Sequence, residues 1–479
     1  MALKGPLSWG SVISVMVAVG YYWWSSHDPA PGNSQGEALK KILQSLLKIE
    51  EKNPLDHTPR VAVGYGGCLD VVVDASDVFN FTDRDPVWLP KHHGSIQSWK
   101  ELEEVFLYFF QHGAAGERFV ANSTTWQEVL MAVERIKGRE TIGGNAPVMA
   151  ARFRKEGCQV LLGAELSAKL RANFPADVKI SSSGREEDDV HLIIEYPFAD
   201  TWGKYVAPRA NRFIIHSDRQ NPKVSALEPF HAALESFTAD VFIVSGLQMM
   251  DNFPFPEGER VERIIKIREQ MRNTSAGTRV HFEMASFTDE NLLRDLAQHI
   301  IPYADSLGMN EQELPILFAV LAKEDLAFVS DAYPRIANTL DTMRQVFGFL
   351  QGTEEVEGRR KLTRLHVHTL AFQAIMVSKG SAWKNTMAAT AKASLTANRH
   401  VCGSEEVDVG KAKLIMDESF TTSGDETGSK VYLDEEHPIA CWDEGDLEIC
   451  IAPVLVCTEV RQTAGGGDNI SAGGLVLQI

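Results

Sequence analysis

From Arg60 onward the chain alternates short β-branched runs with longer amphipathic ones, and this rhythm restricts the fold more than any other feature. "RVAVGYGGCLDVVVDA" reads as a buried strand running into a glycine turn; further strand-like runs are "HLIIEY" (191–196), "RFIIHS" (212–217), "DVFIVSGL" (240–247), "RVHFEMAS" (279–286), "RLHVHTLAF" (364–372) and "IAPVLVC" (451–457). Between many of them lie apolar residues at helical spacing, as in "LEPFHAALESFT", "VERIIKIREQMR", "NLLRDLAQHI" and "EQELPILFAVLA". Neighbouring parallel strands need a long crossover, usually a helix, so the alternation predicts an α/β fold: a mostly parallel sheet with helices on both faces. Such sheets bind ligands at the carboxyl ends of their strands.

The first 40 residues do not share the pattern. Leu7 to Trp24 carries no charge and is about as long as the shortest bilayer span, so residues 1–28 read as a signal peptide or signal anchor. The Trp/Tyr cluster resembles an interfacial belt and no small-x-small cleavage site follows, which favours an uncleaved anchor; the competing reading is a buried helix. Residues 29–40, within "SSHDPAPGNSQG" and just beyond it, read as a linker, and 41–479 as the folded domain. In a secretory compartment the six cysteines, none in CxxC spacing, leave room for one or two disulfides of unassigned pairing. The net charge of -18, with 47 basic against 65 acidic residues and no long basic run, excludes nucleic acid as a partner. An anionic substrate then needs a local island of positive charge or a metal.

Several strand ends and turns carry chemistry. In "GGGD" the glycines Gly465, Gly466 and Gly467 precede an apolar helical pattern, so their amides form an anion-attracting turn, while Asp468 is there either as a helix cap or to take a proton or hold a cation. "HFE" sets His281 and Glu283 on one side of a strand, and "NEQE" sets Asn310 and Glu313 on one face of a helix start. With Asp468 these oxygen donors suit Mg²⁺, although "NEQEL" also fits a plain cap with Glu at its third position. Arg209 and Arg212 of "PRANR" are candidates for clamping a phosphate or for a surface salt bridge. Gly144 and Asn145 in "GGNAPVMAARF" suit a polyhydroxy ligand or a simple cap, and His366 and His368 read as core histidines. "GNSQG" (32–36) matches a nucleophile-elbow pattern but has no strand before it. "SSSGREEDD" (181–189) and "GTEEVEGRR" (352–360) read as solvated loops.

Taken in order, "GGNA", "IIEYPFADTWG", "APRANRFI", "SGLQMM", "HFEMASFTDENL", "SLGMNEQEL", "RLHVHTL" and "GGGDNISAGG" resemble the ADP-dependent glucokinases of the ribokinase-like superfamily, in particular their animal branch. The resemblance implies a smaller β-rich lid that includes roughly 188–220, and transfer of a phosphoryl group from ADP to the 6-hydroxyl of glucose. It makes Asp468 the base, Gly465 to Gly467 the anion hole, and His281, Glu283, Asn310, Glu313 and Asp468 the Mg²⁺ site. Arg212 reaches the transferring phosphate. The sugar positions fall on Asp70, Gly144, Asn145, Glu195 and Gln248, and the adenine pocket on His366, His368 and the surroundings of Val456. One departure concerns the sugar: Gly66 stands where relatives usually have Asn. An ATP-dependent kinase of the same fold and a catalytically silent binding protein are the alternatives. ADP and glucose are then the partners, the endoplasmic reticulum the expected compartment, a monomer the expected state, and any membrane contact is confined to the N-terminal segment.

Overall fold

The computed structural model describes residues 33–479 apart from 56, 83, 183, 327–330, 332 and 353–357. The apolar segment at 1–28 lies outside the described residues, as does the centre of the 352–360 loop. Among the described residues no helix is long and apolar enough to cross a membrane.

A 10-stranded sheet forms the spine. From Lys179–Ser181 at one edge it runs through Gln159–Gly163, Arg60–Gly64, Val241–Val244, Arg279–Glu283, Ser306–Asn310 and Arg364–His368, each strand parallel to the next. Phe372–Ser378, Leu447–Pro453 and Ala440–Glu444 then extend it antiparallel. Alternate residues serve opposite faces, as a two-residue side-chain period requires. Ala62, Phe242, Val280 and Leu307 pack under helices such as Glu259–Arg272 and Ile336–Gln351, whereas Val61, Val63, Ile243 and Leu162 pack under Asn145–Lys155, Thr386–Cys402 and Gly466–Val476. The mostly parallel sheet covered on both faces is therefore the fold the rhythm predicted.

The chain leaves this sheet at Gly64 and enters a second, six-stranded one at Cys68–Asp74. That sheet also holds Ser95–Ile96, Gly116–Val120, Arg139–Gly143, Val190–Tyr196 and Asn211–His216, so the β-rich part reaches well beyond 188–220. Its outer face has a separate aromatic core of Phe106, Phe109, Phe110, Tyr196 and Phe213.

Two boundaries differ from expectation. The helix Asn33–Glu51 begins inside the segment read as linker; it buries Leu39, Ile42 and Leu46, and Glu50 pairs with Lys392 and Arg399. The 181–189 stretch is solvated only in part: Glu186 and Glu187 are exposed, but other charges are engaged. Arg185 pairs with Asp188 and Asp189 and donates to the Gly67 carbonyl, and Asp189 accepts from the amides of Arg219, Gln220 and Asn221. The charges of Arg185, Asp188 and Asp189 are thus taken up in joining the two sheets. Two disulfides form, Cys402–Cys457 and Cys441–Cys450, leaving Cys68 and Cys158 as buried thiols.

Candidate active site

A cavity of about 580 Å³ opens between the two sheets. One wall is the row of carboxyl strand ends with the start of the last helix, the other the inner face of the second sheet. Along Val190–Tyr196, His191, Ile193 and Glu195 point to one side, and Leu192, Ile194 and Tyr196 to the aromatic core. Register then sets Asp70 beside His191, Arg212 beside Glu195 and Glu117 beside Ile214.

Asp468 lies where the walls meet. Gly465, with φ of 70°, turns the chain into the helix Gly466–Val476, a left-handed conformation that favours glycine. The first i to i−4 bond there is made by the Asn469 amide to Gly465 O, so the amides of Gly466, Gly467 and Asp468 precede the ladder. Asp468 is no cap: its Oδ1 accepts from Asn145 Nδ2 at 2.9 Å, and Asn145 Oδ1 accepts from Gln248 Nε2 at 2.7 Å. Burial, then the charge of Glu283, pushes the Asp468 carboxyl up to about 7; the Asn145 hydrogen bond, Arg212 and His368 oppose the shift.

The other two acids sit on neighbouring strand ends. Glu283 accepts from His281 Nε2 at 2.9 Å and Ser471 Oγ at 2.8 Å, and His368 Nε2 is 3.7 Å away. Burial would raise its pKa, but the two imidazoles outweigh it and hold the carboxylate down at about 2. Glu313 is pushed up to about 7 by burial, with Glu283 and Glu311 adding and His368 and the Asn310 amide opposing. Its two oxygens accept from the Asn310 amide (2.9 Å) and side chain (2.8 Å), while Asn310 Oδ1 accepts from the Gln312 and Glu313 amides. The cap reading of "NEQE" is therefore correct as far as it goes, yet the cap also aims both residues at the cavity. Three carboxylates face one cavity, two of them with pKa values raised by burial and like charge, and oxygen donors of this kind could hold a hard divalent cation, directly or through water.

Several expected residues take other places. His281 is fully buried behind Glu283, its second nitrogen paired with Ser306 Oγ at 2.8 Å, so it orients the acid and does not offer a ligand atom. His366 is likewise behind the wall, paired with Gln373 at 3.0 Å, and does not line the cavity. His368 does line the cavity, but among the acids. Val456 lies at the apolar end with Leu370, Ala397, Val401, Ile415 and Val454, a wall that also includes Cys457 of the Cys402–Cys457 bridge.

Glu195 is withdrawn from the sugar positions. Its Oε1 accepts from both the amide (2.8 Å) and the hydroxyl (2.6 Å) of Thr463, two residues before the glycine turn, and so ties the second sheet to it. His400 holds the same loop through Ala464 O at 2.8 Å. Glu195→Ala is expected to lower kcat about ten- to a hundredfold, the scale of a lost charge-assisted hydrogen bond and a misplaced turn, with little change in the acceptor KM. Steady-state kinetics test this: a risen KM at unchanged kcat would restore Glu195 to the sugar.

Asp70, Gly144, Asn145, Gln248 and Arg212 do line the cavity. Burial pushes Asp70 up to about 6, against the charge of His191. Gln248 Oε1 and Arg212 Nε are buried with no hydrogen-bond partner, so both are open to a ligand. Arg209 lines the cavity too, but its guanidinium pairs there with Glu311 at 2.9 Å. Gly66 has φ of +78°, a backbone that L side chains rarely adopt, and an added Cβ would come into ordinary contact with Gly246 and Asn221.

Sequence reasoning missed Glu117, His191 and Asn398, all on the cavity wall. Glu117 is the second residue of the short strand "GERFV", with another charge beside it, and belongs to no motif; Asn398 Oδ1 is buried and unpartnered at the apolar end. His191 binds both oxygens of Asp218 through Nε2 at 3.0 Å. Burial works against its charge, but Asp218 prevails and raises its pKa to about 10. A histidine with a folded pKa above its unfolded value near 6.5 stabilises most below pH 6.5, and the contribution is lost as pH rises through about 10. Thermal melts between pH 7 and 10 should therefore fall steadily, and His191→Gln should flatten that slope.

A sequence profile described as the ADP-specific phosphofructokinase/glucokinase conserved region matches residues 59–477. The ADP-dependent glucokinase of Bos taurus is 33% identical over 94% of this chain and 91% of its own, and the probable ADP-dependent glucokinase of Caenorhabditis elegans is 28% identical over 97% and 94%. Among solved structures, an ADP-dependent kinase in complex with fructose-6-phosphate and ADPβS aligns with a TM-score of 0.65 at 18% identity, covering 92% of this chain and 97% of the other.

Proposed function

Because the chain belongs to the ADP-specific phosphofructokinase/glucokinase family, we propose that this phosphotransferase moves the β-phosphoryl group of ADP to the 6-hydroxyl of glucose and releases AMP. The observation that carries this reading is the relay from Gln248 through Asn145 to Asp468, which joins the polar end of the cavity to the acids and amides at its centre. Asp70, Asn145, Glu117 and Gln248 offer paired oxygens and amides, each able to bridge vicinal hydroxyls. Carboxylates at that end favour a neutral hexose over a sugar phosphate, which they would repel. The apolar wall around Val456 would take adenine, with Asn398 Oδ1 available to its amino group.

In the transfer, Asp468 accepts the proton of the 6-hydroxyl as that oxygen attacks the β-phosphorus; the new O–P bond forms as the bond to the departing AMP oxygen breaks. The amides of Gly466 and Gly467 face the anionic phosphoryl group, and Arg212 neutralises it from the second sheet. Glu283, Glu313, Asn310 and Asp468 are the residues that would hold Mg²⁺, directly or through water; when bound it offsets the diphosphate charge. His281 and His368 keep Glu283 ionised for that purpose. Closure of the two sheets on each other excludes water, which would otherwise compete as acceptor.

The two disulfides support an oxidising compartment such as the lumen of the endoplasmic reticulum. The decisive experiment compares ADP and ATP as donors against glucose and fructose 6-phosphate as acceptors, with products separated. AMP with glucose 6-phosphate is expected. ADP formed from ATP would favour an ATP-dependent kinase, and no product a silent binding protein.

A further inference from the structure

We propose that Cys68, Asp70 and His191 form a binding site for a thiophilic divalent cation of the zinc class where the second sheet walls the cavity. One donor atom from each lies within 4.8 Å of the others. The sheet itself makes the cluster: Cys68 and Asp70 are two residues apart on one strand and so share a face, and Asp70 is the direct parallel partner of His191. All three are buried, Cys68 completely.

The histidine is already oriented for ligation. Asp218 occupies its Nε2 with both oxygens at 3.0 Å, which fixes the ring, so Nδ1 is the nitrogen a metal would take once its proton is displaced. On the Nδ1 side Glu117 Oε1 lies 3.8 Å away, buried and without a hydrogen-bond partner, and so supplies a further oxygen. Sulfur, imidazole and carboxylate donors together match zinc, whereas the all-oxygen set of Glu283, Glu313 and Asn310 matches a hard cation. The two sites are chemically distinct. Asp70, Glu117 and His191 line the cavity, which provides the route in. Binding converts the Cys68 thiol, which now donates to Asp70 Oδ1 at 3.2 Å, into a metal-bound thiolate and displaces the proton on His191 Nδ1, and both protons leave to solvent.

A consequence that rests on the functional reading above is exclusion: a cation held by Asp70 and glucose held by Asp70 cannot be bound together. Co²⁺ serves as probe, with the disulfides intact and excess Mg²⁺ to fill the oxygen site. A thiolate-to-cobalt absorption band saturating at about one equivalent is expected, since a thiolate ligand is stoichiometric at one site. Zn²⁺ should bleach the band, Cys68→Ser and Asp70→Asn should each abolish it, and Cys158→Ser should leave it. No band in the native chain, or one that survives Cys68→Ser, overturns the proposal. If Cys68→Ser does not fold, an undiminished band in Asp70→Asn overturns it equally. Glucose displacing Co²⁺ supports both readings. A band that persists while glucose is phosphorylated at an undiminished rate leaves the metal site standing and removes Asp70 from the sugar.

Discussion

Asp468→Asn is expected to lower turnover between about a hundred- and ten-thousandfold, with little effect on substrate KM. The substitution isolates proton transfer from geometry. Asparagine keeps an Oδ1 acceptor for Asn145 Nδ2, so the relay from Gln248 persists and the glycine turn need not move. The capacity to take a proton is lost, together with the negative charge that Asp468 would offer to Mg²⁺. A coupled assay for glucose 6-phosphate measures the effect, and near-normal turnover would remove Asp468 from the chemistry. The same residue sets the pH response. With its carboxyl raised to about 7, the base is largely protonated below that pH, so kcat/KM should climb about tenfold per unit from acid and level off above 7. In the Asp468→Asn variant the climb should shrink to what Glu313, also raised to about 7, contributes.

The parallel sheet was legible because its strands are buried on both faces, and Arg60–Gly64 and Val241–Val244 are apolar almost without break. The acids were legible because short spacings on single elements fix a shared face: His281 and Glu283 on a strand, Asn310 and Glu313 at a helix start. What could not be read is pairing between distant strands. Glu117 faces the cavity only because Gly116–Val120 pairs with Asn211–His216, and Glu195 meets Thr463, 268 residues away, only because the two sheets close on each other. The disulfides are of the same kind, with Cys402 and Cys457 brought together by the end of a helix and a two-residue strand. The charges of Asp188 and Asp189 looked solvated for a related reason: their partners, Ser167 and the 219–221 amides, are remote in sequence.

Glu283→Gln should separate the electrostatic task of the acids from their packing. Glutamine fits the site: its oxygen accepts from His281 Nε2 as the carboxylate does, and its amide faces Ser471 Oγ, a hydroxyl that accepts as readily as it donates. The fold is retained, and the charge is lost where a divalent cation would be held. Turnover at fixed Mg²⁺ should fall about a hundred- to a thousandfold, the scale of a lost electrostatic contact to the transition state, and excess Mg²⁺ should recover part of it. A second readout follows from the same charge. Glu283 is the largest contributor after burial to the raised Asp468 carboxyl, so without it Asp468 ionises more readily. The rising limb of the pH profile should therefore move to lower pH in Glu283→Gln, while the plateau drops. A plateau that drops with no movement of the limb would mean that Glu283 acts on the metal alone. A limb that moves with no drop would mean that its charge tunes the base and no cation is held there.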